Sequence, residues 1–561
     1  MRILAVSESA SAATLQASAA GRAAQQLATT TRGGPPFGFS AEIRVATAGF
    51  LRVELKTSKG ILACRRVSVA SRARKANPAL PAGAWTTTRS WNRATESLYS
   101  AWVERLFDAP EGEAMSFPSL APVLHDPARN FLWGHLGLRE DDPKNRAVPR
   151  AEPDCADLPY YLRAYFAWKM GLPFAMRDCN RGTSEHAPTC GPIMHNEEPV
   201  DGRDALARFR TFLRLLANRV HSGSARTALD DEQTDFYPVK LERSTLRPGV
   251  IYADPYGHVL MITKWIPQSD TTGGRLLAVD GQPDNSVGRK RFWEGTFLFA
   301  SGLPSAGPGF KAFRPIEMTT GSEGKPALAA LSNRTLVSDR RFAPFSTEQS
   351  KLSREEFYAR MARVISPAGL DAEVAYRETL NALVEQLETR VSSVDNGEKF
   401  MRDKGTPVVP MPVGAKIFET VGPWEDYATP SRDMRLLIAL DVLARLPETV
   451  RTRPELFVLK GRSAREVSAE LEKLHQRSIR ERGIEYSRSD GTRFRLSVGD
   501  VYARQAGLEM AYNPNDCVEV RWGASDGAPD MATCRRRAPA EQQARMQEYR
   551  AWFRETRRPP R

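Results

Sequence analysis

Between Asp154 and Phe174, apolar side chains recur at Leu158, Tyr161, Leu162, Tyr165 and Trp168, the three-and-four spacing of a helical face turned toward a core. Pro159 is tolerated only in a first turn, so the helix is predicted to begin at about residues 156–159, with Cys155 at its cap. Gly171 and Pro173 end it. Downstream, LRPGVIYADPYGHVLMITKWIPQ reads as a turn (Asp254, Pro255, Tyr256, Gly257) delivering His258 onto a strand, where His258, Leu260 and Ile262 share a face. A second turn, Thr271–Gly274, leads into RLLAVDGQP, whose alternation puts Leu276, Ala278 and Asp280 on one side. Such a hairpin lets Asp280 reach the far ring nitrogen of His258.

Elsewhere the pattern is more uneven. Residues 1–85 are predicted to be poorly ordered, apart from a hairpin turning at Gly49 and a basic linker, RRVSVASRARKANPALPAG. The first sixteen residues lack a continuous apolar core and do not read as a signal peptide. From Thr86 helical periodicity sets in, with Ser90 as the expected cap of SWNRATESLYSAWVERLF and a support helix over FPSLAPVLHDPARNFLWGHLGL. Residues 175–247 form an insertion, read either as a lid or as a cover, containing the amphipathic helix DALARFRTFLRLLANRV. Arg289, Lys290 and Arg291 are expected in a solvated turn before an aromatic-rich strand. Residues 321–561 carry mainly helical periodicity, with Ser431 and Asp433 expected as a cap. A β-prone stretch falls around FRLSVGDVYA and CVEVRW. Trp424, Glu425 and Asp426 are expected in a turn.

The chain has 561 residues, 41% of them hydrophobic and 26% charged, which is globular material for two or more domains. Its +13 net charge comes from scattered arginine, without the basic stripe and interleaved aromatics of a nucleic-acid binder, and leaves an anionic surface as a partner. No apolar run reaches membrane-spanning length. Of six cysteines, Cys179 with Cys190 and Cys517 with Cys534 form two nearby pairs, leaving Cys64 and Cys155. That arrangement fits a periplasmic or extracellular enzyme with a free nucleophile. The competing zinc set, Cys179, His186, Cys190 and His195, has no standard spacing.

At a helix N-terminus the dipole and unpaired N–H groups favour a thiolate, which makes Cys155 the candidate nucleophile. His258 is the candidate base and Asp280 its orienting partner. His221, after a helix end, is a weaker competitor as base. Cysteine on a helix, histidine entering a strand and a polar residue on the next strand is an order that resembles the papain-like superfamily. DCADLPYYLRAYFAWKMGLP is similar to the nucleophile helix of NlpC/P60 peptidases and of bacterial transglutaminase-like proteins. LRPGVIYADPYGHVLMI resembles the NlpC/P60 histidine segment, and AVDGQP the transglutaminase pattern. Ala156 and Asp157 replace the serine and glycine usual after the NlpC/P60 cysteine, and the interval to His258 is longer than usual there.

The resemblance implies an α+β fold: a papain-like domain over 86–320, with an antiparallel sheet and an N-terminal nucleophile helix, then a mainly α-helical accessory domain over 321–561. It implies a Cys155–His258–Asp280 triad acting without cofactor or metal on peptide or cell-wall substrates through a thioacyl intermediate. A transglutaminase-like acyl transferase and an inactive envelope-binding protein are the alternatives.

Overall fold

The computed structural model describes residues 1–561 apart from 10, 33–35, 71–82, 111–114, 270–271, 304–305, 321–325, 421 and 560–561. The fold is α+β with antiparallel sheets. Contrary to the expected poor order, residues 2–69 form two small sheets closed over Leu15, Phe39, Leu51, Val53 and Leu55. Small residues alternating with modest aliphatics conceal these strands in the sequence. The hairpin turn falls at Ser58 and Lys59, where Gly60 takes a φ of 129°, whereas Gly49 merely opens the first strand. Most of the expected linker, 71–82, lies outside the described residues, as does Thr271 of the second predicted turn.

The central sheet has strands β1 (Ser116–Phe117), β2 (Phe236–Pro238), β3 (Ile251–Ala253), β4 (Val259–Ile266), β5 (Arg275–Gly281), β6 (Val287–Arg291) and β7 (Gly309–Phe313), in the spatial order β2-β7-β3-β4-β5-β6-β1. Against it pack helices α1 (Arg93–Leu106) and α2 (Asp157–Met170), and α3 (Ala205–Arg219) lies against α2. Asn92, not Ser90, caps α1, accepting from the Ala94 and Thr95 N–H groups. The second support helix shrinks to Ala121–His125, and turns follow.

Helix α2 is buried on every side from Leu158 to Lys169, not along one face. Its two cations are therefore compensated. Arg163 pairs with Glu96 and lies 3.3 Å over the Trp91 ring, and Lys169 pairs with buried Glu140 and Asp141. Phe209 of α3 stacks on Trp168 with centroids 3.9 Å apart, so the insertion helix covers α2. Cys179 and Cys190 are joined in a disulfide at the start of that insertion, which removes the zinc alternative. Cys517 and Cys534 are joined as well.

The first core continues through Phe357 and Met361. Beyond it lie the long helices α4 (Ala372–Asp403), α5 (Pro430–Thr452) and α6 (Ala464–Glu481) around a second core, with the terminal helix Ala540–Arg554. Ser431 and Asp433 do not cap α5. They lie inside it, and Asp433 is buried in a bidentate pair with Arg390 (2.8 and 2.9 Å). Of the β-prone stretches, Arg493–Ser497 is a strand, but Val498–Ala503 and Val518–Arg521 are helical. Among the described residues no helix is long and apolar enough to cross a membrane.

Candidate active site

Asp154 organises the cysteine. Its Oδ1 accepts from the N–H groups of Ala156 and Asp157 (both 2.8 Å), and its carbonyl accepts from Leu158 (3.0 Å), so it acts as the cap of α2. Cys155 is half-buried immediately after it. The Val259 N–H, the first of β4, acts on the Cys155 thiol in the direction that lowers its pKa, and the Asp154 carbonyl beside the cysteine packs against Gly281 at the end of β5. The nucleophile candidate thus abuts the strand entered by His258.

Along β4 and β5, Met261 faces Val279 and Ile262 faces Ala278. Continuing that register puts Leu260 opposite Asp280 and His258 at its diagonal on the same face. His258 Nε2–H donates to Asp280 Oδ2 at 2.8 Å, which leaves Nδ1 for proton exchange. The His258 side chain is 22% exposed and that of Asp280 only 2%. Gln282 Nε2 donates to the same Oδ2 at 2.6 Å, and Lys290 Nζ stands 3.7 Å from Oδ1. Burial opposes ionisation of Asp280, but Lys290, the His258 bond and Arg435 outweigh it and hold the carboxyl below its ordinary range.

The three predicted residues therefore share one neighbourhood, but the expected lowering of the thiol pKa is not found. Burial pushes the Cys155 thiol well up, Asp154 adds to this, and Asp280 and Asp157 contribute further against the Val259 N–H. The helix-end donors that would favour a thiolate are those engaged by Asp154. Burial, with Asp154 beside it, also pushes Asp157 up to about 8.

His221 is a structural residue: its Nδ1 accepts from Gly223 and its Nε2 lies 2.7 Å from the Cys179 carbonyl. Arg289, Lys290 and Arg291 form part of β6 rather than a solvated turn, and Arg291 donates to the Glu378 carbonyl (2.7 Å). Trp424, Glu425 and Asp426 lie in a short helix, with Trp424 buried and its indole donating to Ile417. Burial raises the Glu425 carboxyl, with Asp426 and Asp154 adding. Cys517, Glu519 and Cys534 cluster closely, but the disulfide and the Ser489 and Thr533 bonds to Glu519 occupy their ligand atoms.

Sequence reasoning missed Asp154, Gln282 and Arg435, together with Arg432, whose Nη2 donates to Gln282 Oε1 at 3.3 Å, and placed Lys290 in a solvated turn. Asp154 and Gln282 adjoin or nearly adjoin predicted residues; the arginines carry no local signal among 80 lysines and arginines. The chain matches no family model, no curated protein and no solved structure.

Proposed function

We propose that the protein is a cysteine-dependent acyl-transfer enzyme, hydrolysing amide bonds of peptide or cell-wall material, on a papain-like arrangement of helix and sheet. One observation carries the reading: His258 is bonded through Nε2 to buried Asp280, and the residue after Asp280 on that strand, Gly281, packs directly against the Asp154 carbonyl that precedes Cys155. With the thiol raised, the resting nucleophile is neutral, and His258 acts as a general base during attack rather than as half of a preformed ion pair. The sulfur adds to the carbonyl as its proton passes to Nδ1. The developing oxyanion is met by the Cys155 N–H, because those of Ala156 and Asp157 are already bonded. Imidazolium, steadied by Asp280, then protonates the leaving amine, and water or a second amine releases the acyl group.

Release to an amine is the second reading, favoured by aspartate as the third residue. A screen of peptidoglycan-derived and protein-derived peptides, with and without an added amine, tests both. Turnover lost in Cys155→Ser and in His258→Ala supports acyl transfer, and amide exchange outrunning hydrolysis supports the transferase. Turnover retained in Cys155→Ser removes the cysteine mechanism in both forms, and no turnover in the native chain leaves the envelope-binding alternative.

A further inference from the structure

Both turns that carry the histidine and the aspartate meet one face of α5. Arg432 and Arg435, three positions apart, project from the same side of that helix. Arg435 donates through Nη2 to buried Asp254, and through Nη1 to the Thr296 carbonyl at 3.1 Å. Asp254 holds the histidine turn: its N–H donates to the His258 carbonyl (2.9 Å), its Oδ1 accepts from Tyr256 (2.6 Å), and its carbonyl accepts from Gly257 (3.1 Å). Arg432 Nη2 donates to Gln282 Oε1 at 3.3 Å, and Gln282 in turn donates to the Asp280 oxygen that His258 uses. The helix is itself anchored between these two arginines by the Asp433–Arg390 pair.

We infer that Arg432 and Arg435 are positioning residues, through which the C-terminal helical half sets the distance and angle between His258 and Asp280. The histidine turn and the close of β5 lie at the same end of the β4–β5 pair, but strand pairing alone does not fix the side-chain angle of a residue that stands outside the strand. His258 is such a residue, since β4 begins at Val259. The helix supplies a fixed external reference for both turns, one through a charge-assisted bond to Asp254 and one through the Gln282 amide. The inference deepens the acyl-transfer reading and rests on it for its bearing on activity. Its test reads the imidazole bond itself.

In the full chain labelled with [15N]histidine, the His258 Nε2–H signal, assigned with His258→Gln, is expected to be shielded from solvent exchange. Arg432→Met and Arg435→Met are expected to speed that exchange about tenfold or more, and Arg432→Lys to stay within about threefold of the native chain. Because Arg435→Met leaves a buried carboxylate uncompensated, the Asp254→Asn/Arg435→Met pair is measured beside it and is expected to show the same acceleration with a native circular dichroism spectrum. Unchanged exchange in Arg432→Met and in that pair overturns the inference, as does an unprotected signal in the native chain. If His258→Gln leaves Cys155 alkylation unaltered while the exchange effects appear, the acyl-transfer reading fails and the positioning stands.

Discussion

Gly281 lies so close beneath the cysteine turn that a methyl group on its α-carbon would stand 2.5 Å from the Asp154 carbonyl oxygen. The neighbouring atoms are backbone, so they cannot swing aside as a side chain would. This contact ties the end of β5, and with it Asp280, to the residue that caps α2 before Cys155. Gly281→Ala is expected to cost about 1–3 kcal/mol of stability as the two backbones part. It should also slow His258-dependent alkylation of Cys155 more than the stability loss alone explains, measured by mass spectrometry well below the melting temperature.

The raised thiol has a direct signature. In a Cys64→Ser background, alkylation of Cys155 by iodoacetamide should climb steadily, by up to about tenfold per pH unit, between pH 6.5 and 9. A plateau already reached below pH 7 would identify a preformed thiolate–imidazolium pair and contradict the neutral resting state.

Asp157 should shape the upper part of that curve. Its carboxyl, raised to about 8, is protonated at neutral pH and becomes charged as the pH passes that value. The new anion beside the sulfur opposes thiolate formation. Asp157→Asn is therefore expected to raise the alkylation rate at pH 9 by about 3–10-fold while changing it little at pH 6.5.

The N-terminal sheets are fastened to α1 by Glu8, which bonds Arg93, Ser97 (2.9 Å) and Arg247 (3.0 Å). Burial works against its ionisation, but the Arg93 and Arg247 interactions bring the carboxyl down from 4.5 to about 2. A depressed carboxyl stabilises the folded form fully above its unfolded pKa and loses that contribution as pH falls toward the folded one. Glu8→Gln should thus cost about 1–2 kcal/mol of docking at pH 7, after allowance for partial exposure, and progressively less as the pH falls below about 4.5 toward the folded value of about 2. Hydrogen exchange in the residue 2–69 sheets, followed between pH 7 and pH 2.5, measures it.

How much of this was legible in the sequence depends on the range of the interactions involved. The span of α2, the His258 and Asp280 strands and both cysteine pairs follow from periodicity, Pro159, Gly171 and spacing, all local signals. The burial of α2 on all sides was hidden, because the apolar spacing marks one face only and the partners of Arg163 and Lys169, namely Glu96, Glu140 and Asp141, come from distant positions. The same limit explains the thiol. A helix end predicts a lowered pKa, but the burial of the thiol and the approach of Asp280 arise only in the fold, and Asp154, adjacent in sequence, engages the donors that would have served the sulfur. Arg432 and Arg435 were invisible for want of any pattern distinguishing them from other arginines. Within residues 1–69 the hairpin was visible but its turn was not, and the other strands, such as Thr14–Ala19 (TLQASA), are short and built largely from small side chains.

A rod with no wet side has consequences for how the chain assembles. α2 cannot gain a stable position from one neighbour, because its walls come from Trp91 and Trp102 on one flank, Phe209 on another and Phe236 and Phe313 at its sheet-facing side. Those residues are scattered across more than two hundred positions of sequence, so their loops must close before the rod is sheltered. The seat of Cys155 is therefore expected to be among the last features to mature as the chain folds, with a reactive, fully solvated thiol on every incomplete chain. In the Cys64→Ser chain with both disulfides kept intact, brief pulses of alkylating reagent during refolding would mark those immature molecules and leave finished ones largely unlabelled at neutral pH.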